Sequence, residues 1–207
     1  MTLRDLHRTS AFVILAFATM HIANHLASLN SVATHIAFMD LARTVYRHWA
    51  IEPLLLFCVL FQVLSGLWLV LRGWKQRQGL LPWLQAGSGA YLAFFLLVHV
   101  SAVLFGRTVL HLDTNFYYAA AGLHVSPSQF FFAPYYFLAV LALFTHLGCA
   151  AYWQLQAARP VVRTLVVGAA VIVGAILALL IVLSLAGKIQ AVEIPAKYKA
   201  TYTKRGG

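Results

Sequence analysis

Five stretches of this chain are each long and apolar enough to cross a bilayer, and together they take up most of its 207 residues. A span needs about 20 apolar residues, each adding roughly 1.5 Å along a helix axis. In lipid every backbone N–H and C=O must be satisfied within the protein, and a helix does that by itself. The stretches run over about 8–29, 51–72, 85–106, 133–155 and 162–187. Only 10% of positions are charged and 62% are hydrophobic, where a soluble domain carries about a quarter charged residues. The expectation is an all-α integral membrane protein, one transmembrane domain over 1–207. Its five transmembrane helices are expected to form an up-down four-helix bundle with one peripheral helix. The first stretch is too long for a cleavable leader, and no small-residue cleavage site follows it, so it is expected to stay as a span.

The connections are informative too. Residues 31–48 (SVATHIAFMDLARTVYRH) are amphipathic and too polar to cross, which predicts a helix lying on the surface. The stretch 106–132 is long and aromatic and is expected to fold over one end of the bundle. Pro53 and Pro134 are expected at helix starts, where the missing N–H costs nothing. The net charge of +10 would suggest nucleic acid in a soluble chain. Here the basic residues sit at helix ends and in the tail, where they meet lipid headgroups, so no nucleic acid is expected. Arg4, Arg8, Arg72, Lys75, Arg77, Arg159 and Arg163 fall on one side; Arg43, Arg47 and Arg107 fall on the other. That bias predicts a cytoplasmic N-terminus in a bacterial inner membrane. The C-terminus is then outside, with Lys188, Lys197, Lys199, Lys204 and Arg205, against the trend. Cys58 and Cys149 lie in apolar helices without metal-ligand spacing and read as small buried hydrophobes.

An internal repeat points to a site. SAFVILAFATMH (10–21) and SGAYLAFFLLVH (88–99) share a small polar start, matching aromatic and aliphatic positions, and a histidine eleven residues on. Both helices run in the same direction, so His21 and His99 sit at one height, in the outer half of the bilayer. Two imidazoles at one height on neighbouring helices are placed to hold a planar metal ring as axial ligands. His146 lies on a helix running the other way, in the inner half. The matching height on the second span falls near Gln62, Ser65 and Gly66, where no histidine occurs.

Imidazole is the cheapest ionisable group to bury, so a lone intramembrane histidine is more often an interhelical hydrogen-bonding group than a ligand. The matched pair shifts that balance for His21 and His99; His146 alone does not. His25, one turn beyond His21, could complete a zinc site with His99, but no carboxylate lies at that depth. It is instead expected to hydrogen-bond a propionate, a quinone or interfacial water. His7, His35, His48, His111 and His124 lie near or in surface segments, where solvated histidine is the default expectation.

The stretches HRTSAFVILAFATMH, WLQAGSGAYLAFFLLVH and APYYFLAVLALFTHLGCAAYW, with the tail IPAKYKATYTKR, resemble the cytochrome b membrane-anchor subunit of succinate dehydrogenase and fumarate reductase. The likeness is to its single-chain, five-helix, two-haem form. WLQAGSG followed by a histidine is the most specific of these motifs. In that family four helices each give one histidine. The resemblance implies that His21 and His99 bind a distal haem near the outer surface and that His146 is one ligand of a proximal haem. The proximal partner would fall at Ser65 or Gly66, neither of which replaces imidazole. This departure predicts one haem b, with a second at His146 as the alternative. It also argues against an ordinary succinate dehydrogenase anchor.

The expectation is therefore a b-type cytochrome transferring electrons to or from quinone, at most the membrane subunit of an oxidoreductase. Arg47 and Arg107 are candidates to neutralise propionates, with lipid-boundary anchoring as the competing reading. His25, Asp40 and Glu52 are candidates for quinone protons. Partners would be lipids, quinone, and iron–sulfur and flavoprotein subunits, since the chain carries neither a nucleotide-binding Gly-rich loop nor an iron–sulfur cysteine set. Two other classes compete: a haem-free anchor or assembly subunit, and a small proton-coupled transporter. The transporter would need an acidic partner within the membrane, whereas Asp5, Asp40, Glu52, Asp113 and Glu193 all fall at or beyond helix ends.

Overall fold

A computed structural model describes residues 1–203; Lys204 and Arg205 of the tail lie outside the described residues. The described chain is all-helical, and five helices are long and apolar enough to cross a membrane. These are α1 (Leu3–Ala27), α3 (Ile51–Arg72), α4 (Leu80–Thr108), α6 (Gln129–Gln154) and α7 (Pro160–Leu185). Between them lie α2 (Val32–Tyr46) and the short α5 (Phe116–Ala121), and α8 (Ala196–Lys199) follows.

Local chemistry sets the ends. Helix α1 starts about one turn earlier than hydropathy predicts because Thr2 and Asp5 form a reciprocal capping box: the Thr2 N–H donates to Asp5 Oδ2 at 2.8 Å, and the Thr2 hydroxyl accepts from Asp5 N–H. The helix therefore carries polar residues past the apolar run, including His7. Ser31 caps α2, accepting from Thr34 N–H at 2.9 Å, and Pro160 opens α7 at its first position. At the far end of α7, Gly187 takes a left-handed φ of +67°. Its N–H reaches Ser184 O and the Lys188 N–H reaches Leu183 O, the paired bonds of a Schellman ending. Pro53 lies in the first turn of α3, as expected. Pro134 does not open a helix: α6 begins at Gln129 and contains it.

Helices α1, α3, α4 and α6 pack in that order as successive neighbours, while α7 lies along the outside of α6 and meets α1 only at one end. The expected four-helix bundle with one peripheral helix is the observed arrangement. The α6–α7 seam is close because small residues line it. A Cβ on Gly148 would fall 2.8 Å from Ala170 Cβ, and one on Gly174 would fall 2.6 Å from Phe144 Cβ. At the meeting of α1 and α7 the hydroxyls of Ser28 and Ser184 hydrogen-bond at 2.7 Å, fully buried.

One end of the bundle is covered by the intervening segments. Phe116, Ala120 and Ala121 of α5 pack with Ile181, Leu185, Ile194 and Tyr198 into a buried cluster, so the 106–132 connection and the tail close that end together. Helix α2 lies across α1 and buries His35, Met39 and Ala42, three residues on one face at i, i+4 and i+7. Arg43 then ties α2 to the α4–α5 connection through Asp113, at 2.6 Å. Cys58 and Cys149 are buried and free.

Candidate functional site

Among the described residues, α1 packs on α2, α3 and the end of α7 but nowhere on α4 or α6. The space so left is a cavity of about 1220 Å³ lined mainly by α1, α3, α4 and α6, with α2, the end of α7 and part of the 106–132 connection at one end. That exceeds the roughly 300–1,000 Å³ of a pocket for one drug-sized ligand.

His21 of α1 and His99 of α4 reach into this space from opposite walls, with ring centroids 6.0 Å apart. The repeat extends to their surroundings. Each ring stacks on the phenylalanine one turn before it, His21 on Phe17 at 5.6 Å and His99 on Phe95 at 4.9 Å. Phe17 is held edge-on by Tyr46, and Phe95 packs against Tyr135. Two imidazoles bound on opposite sides of one metal have centroids about 6.3 Å apart, from a metal–nitrogen bond of about 2 Å on each side plus just over 1 Å to each centroid. The 65° between the ring planes is free to vary in such an arrangement, because each ring turns about its own metal–nitrogen axis. The spacing, the neutral nitrogen donors and the apolar walls fit a bis-imidazole metal ring.

His25 packs edge-on against His21 at 4.7 Å, and His35 of α2 lies 5.3 Å beyond it. His35 is not solvated as expected: it is 2% exposed, because it shares the apolar face of α2 with Met39 and Ala42. Asn24 meets its Nε2 at 3.3 Å, and Phe116 covers it. Burial, then the neighbouring His21 ring and Arg43 cation, push its pKa down to about 4. His25 Nδ1, His35 Nδ1 and Asn24 Oδ1 are buried with no partner among the described residues. Each such orphan costs about 1–3 kcal/mol unless something fills it, so these atoms are open to hydrogen bonds from a water or a bound group. A single zinc ion does not suit it: among the described residues no group of three or more His, Cys, Asp or Glu could hold a metal ion.

Arg47 and Arg107 both line the cavity beyond His99. Arg107 pairs with Glu52 at 2.6 Å, so its charge is already matched. Arg47 donates to Thr114 Oγ1 at 3.1 Å and keeps a buried Nε without a partner among the described residues. Arg47 is thus the better placed of the two to meet an anion. Glu52 reaches the cavity only as part of that ion pair, and Asp40 pairs with Arg43 at 3.2 Å on the exposed side of α2.

At the other end of the cavity His146 hydrogen-bonds Gln85 O through Nδ1 at 3.1 Å and lies against Ser88 and Gly89 of α4. His7 is there too. Its Nδ1 meets Ser65 Oγ at 2.7 Å, and its ring lies over Gly66. The solvated reading of His7 fails because the capping box extends α1 and turns this residue inward. The positions where a second-span ligand is absent are thus occupied from α1. One signal was available: His7 precedes His21 by fourteen residues, almost four whole turns, which puts both on one face. His124 is also engaged, with Nε2 donating to Leu185 O at 2.9 Å, whereas His48 and His111 are exposed.

Comparison with protein families, curated proteins and solved structures finds no match for this chain.

Proposed function

We propose that this chain is a membrane-bound b-type cytochrome that exchanges electrons with quinone, His21 and His99 being the axial ligands of a haem b in the outer half of the bilayer. The observation that carries this reading is the 6.0 Å approach of two half-buried imidazoles across a cavity, from helices that do not pack on each other. When bound, haem supplies reversible one-electron transfer. The protein's part is to orient and to insulate. Phe17 and Phe95 fix the ring planes, the aliphatic walls exclude water, and Arg47 offers an unmatched positive charge to a propionate. His25 and His35 carry the buried unpaired nitrogens that a quinone oxygen or an ordered water would fill, and they offer a proton route from α2.

Kinship with the cytochrome b anchors of succinate dehydrogenase and fumarate reductase is part of the proposal, supported by the short motifs around these histidines. So are the cytoplasmic N-terminus, supported by the basic bias of the loops, and the recruitment of iron–sulfur and flavin subunits. The transporter reading is weaker, since Glu52, the one carboxylate lining the cavity among the described residues, is neutralised by Arg107.

The test is a reduced-minus-oxidised spectrum of the full chain, purified after expression with haem supplied. A Soret band with sharp α and β bands on reduction supports the reading. A colourless preparation of folded protein favours the haem-free anchor instead.

A further inference from the structure

The far end of the same cavity also holds two imidazoles, one again from α1 and the other from α6 instead of α4, and we infer that His7 of α1 and His146 of α6 are the axial ligands of a second metal tetrapyrrole. The inference rests on the reading of His21 and His99 as haem ligands and extends it to an inner site, with one ligand drawn from α1, which the family resemblance implicates only in the outer site.

Height is the first argument. His7 lies fourteen residues below His21, about 21 Å along the axis. Gln85 lies fourteen residues below His99 on the parallel helix α4, and His146 is hydrogen-bonded to Gln85 O. His7 and His146 are therefore level with one another, and both line the one cavity.

Tautomer is the second. The Ser65 hydroxyl donates to Phe61 O, so towards His7 its oxygen accepts, and the proton between them is on His7 Nδ1. Gln85 O can only accept, so His146 Nδ1 also carries its proton. Each ring is left with a bare lone pair on Nε2, and neither Nε2 has a hydrogen-bond partner among the described residues. An imidazole held by Nδ1–H on a carbonyl or hydroxyl, with Nε2 free, is the orientation a metal-binding histidine needs. Gln62 of α3 secures the backbone there by donating to His7 O and to Ser10 Oγ.

Room and charge complete the case. Gly66 and Gly89 face the two rings, where a Cβ would come within 3.3 Å of His7 Cε1 and 3.0 Å of His146 Cε1. Arg4, Arg8 and Arg77 line this end of the cavity, and no carboxylate does among the described residues. Arg77 keeps a buried Nη1 without a partner among the described residues. A flat apolar ring bearing carboxylates matches the whole set: two nitrogen ligands, apolar walls and a cationic rim. With both sites filled, electrons have a station near each face of the membrane.

Haem per chain, measured on the purified full chain expressed with haem supplied, tests this. The expectation is two haems in the wild type and one each in His7→Ala and His146→Ala, with the His21/His99 haem retained as proof of folding. His7→Met, which keeps a metal ligand, should hold two haems and shift one midpoint potential. One haem in the wild type, unchanged in His7→Ala and His146→Ala, overturns the inner site and leaves the outer reading standing. Two haems whose number is unaffected by His21→Ala and His99→Ala overturn the outer reading itself. Unchanged potentials in His7→Met also overturn the assignment of His7.

Discussion

His21 and His99 stand on helices that do not pack against each other, yet their rings lie 6.0 Å apart. Direct helix packing would bring the axes to about 8–10 Å and close the gap between α1 and α4. The bundle instead joins them through α3 on one side, and on the other through α6 and the end of α7 that meets α1, and stacks a phenylalanine on each ring. The space is therefore a property of the ring of helices, and its contents are what the predictions below address.

Helix α2 should undock in acid. His35 is buried neutral on its packing face, with a pKa near 4 against an ordinary 6.5. Detaching α2 frees the ring to take up a proton, so the detached state binds more protons between those two values. The docked state is fully stabilised above pH 6.5 and loses that stability as pH falls towards 4, by up to about 3 kcal/mol. Amide exchange in 32–46 should accelerate over that window while α6 and α7 stay protected. His35→Phe should remove the pH dependence; an unchanged acid response in that variant contradicts the account.

Glycine at the inner histidine should matter for cofactor retention more than for folding. Gly89→Ala adds helix propensity worth about 1 kcal/mol, but its Cβ would meet His146 at 3.0–3.2 Å and displace the ring from Gln85 O. Thermal stability equal to or above wild type, with the haem assigned to His7 and His146 weakened or lost, is the expected outcome. Differential scanning in detergent beside a haem assay reads both quantities.

The seam between α6 and α7 should be separable from the outer site. Gly174→Leu would drive a side chain into Phe144, an overpacking cost of about 1–3 kcal/mol. Because α7 reaches the cavity only through Ile181 and Leu185, about two turns or more beyond Gly174, the variant should melt earlier yet keep the His21/His99 absorption. Loss of the absorption in a protein that is still folded would show α7 to be part of the site.

How much of this was legible follows from which signals are local. The five spans are visible because length and apolarity decide them residue by residue, and the capping box moved only the start of α1. The proximity of His21 and His99 was readable because the repeat fixes their register on parallel helices. Three things were not readable by default. His7 sits beside Arg4 and Arg8, where exposure is the ordinary expectation, and only its fourteen-residue spacing from His21 hints otherwise. His35 was hidden because its face, shared with Met39 and Ala42, needed α1 and Phe116 to cover it. The Arg107–Glu52 pair joins α4 to α3 across the bundle, and spacing along the chain carries no information about it.

The most direct test of the central claim is imidazole rescue at His99. The ferric wild type should give a low-spin, six-coordinate spectrum. His99→Gly should turn high-spin or lose haem at the outer site, and added imidazole, entering the vacated space, should restore the low-spin form. Wild-type protein without low-spin haem, or a His99→Gly spectrum identical to wild type before imidazole is added, would contradict the account.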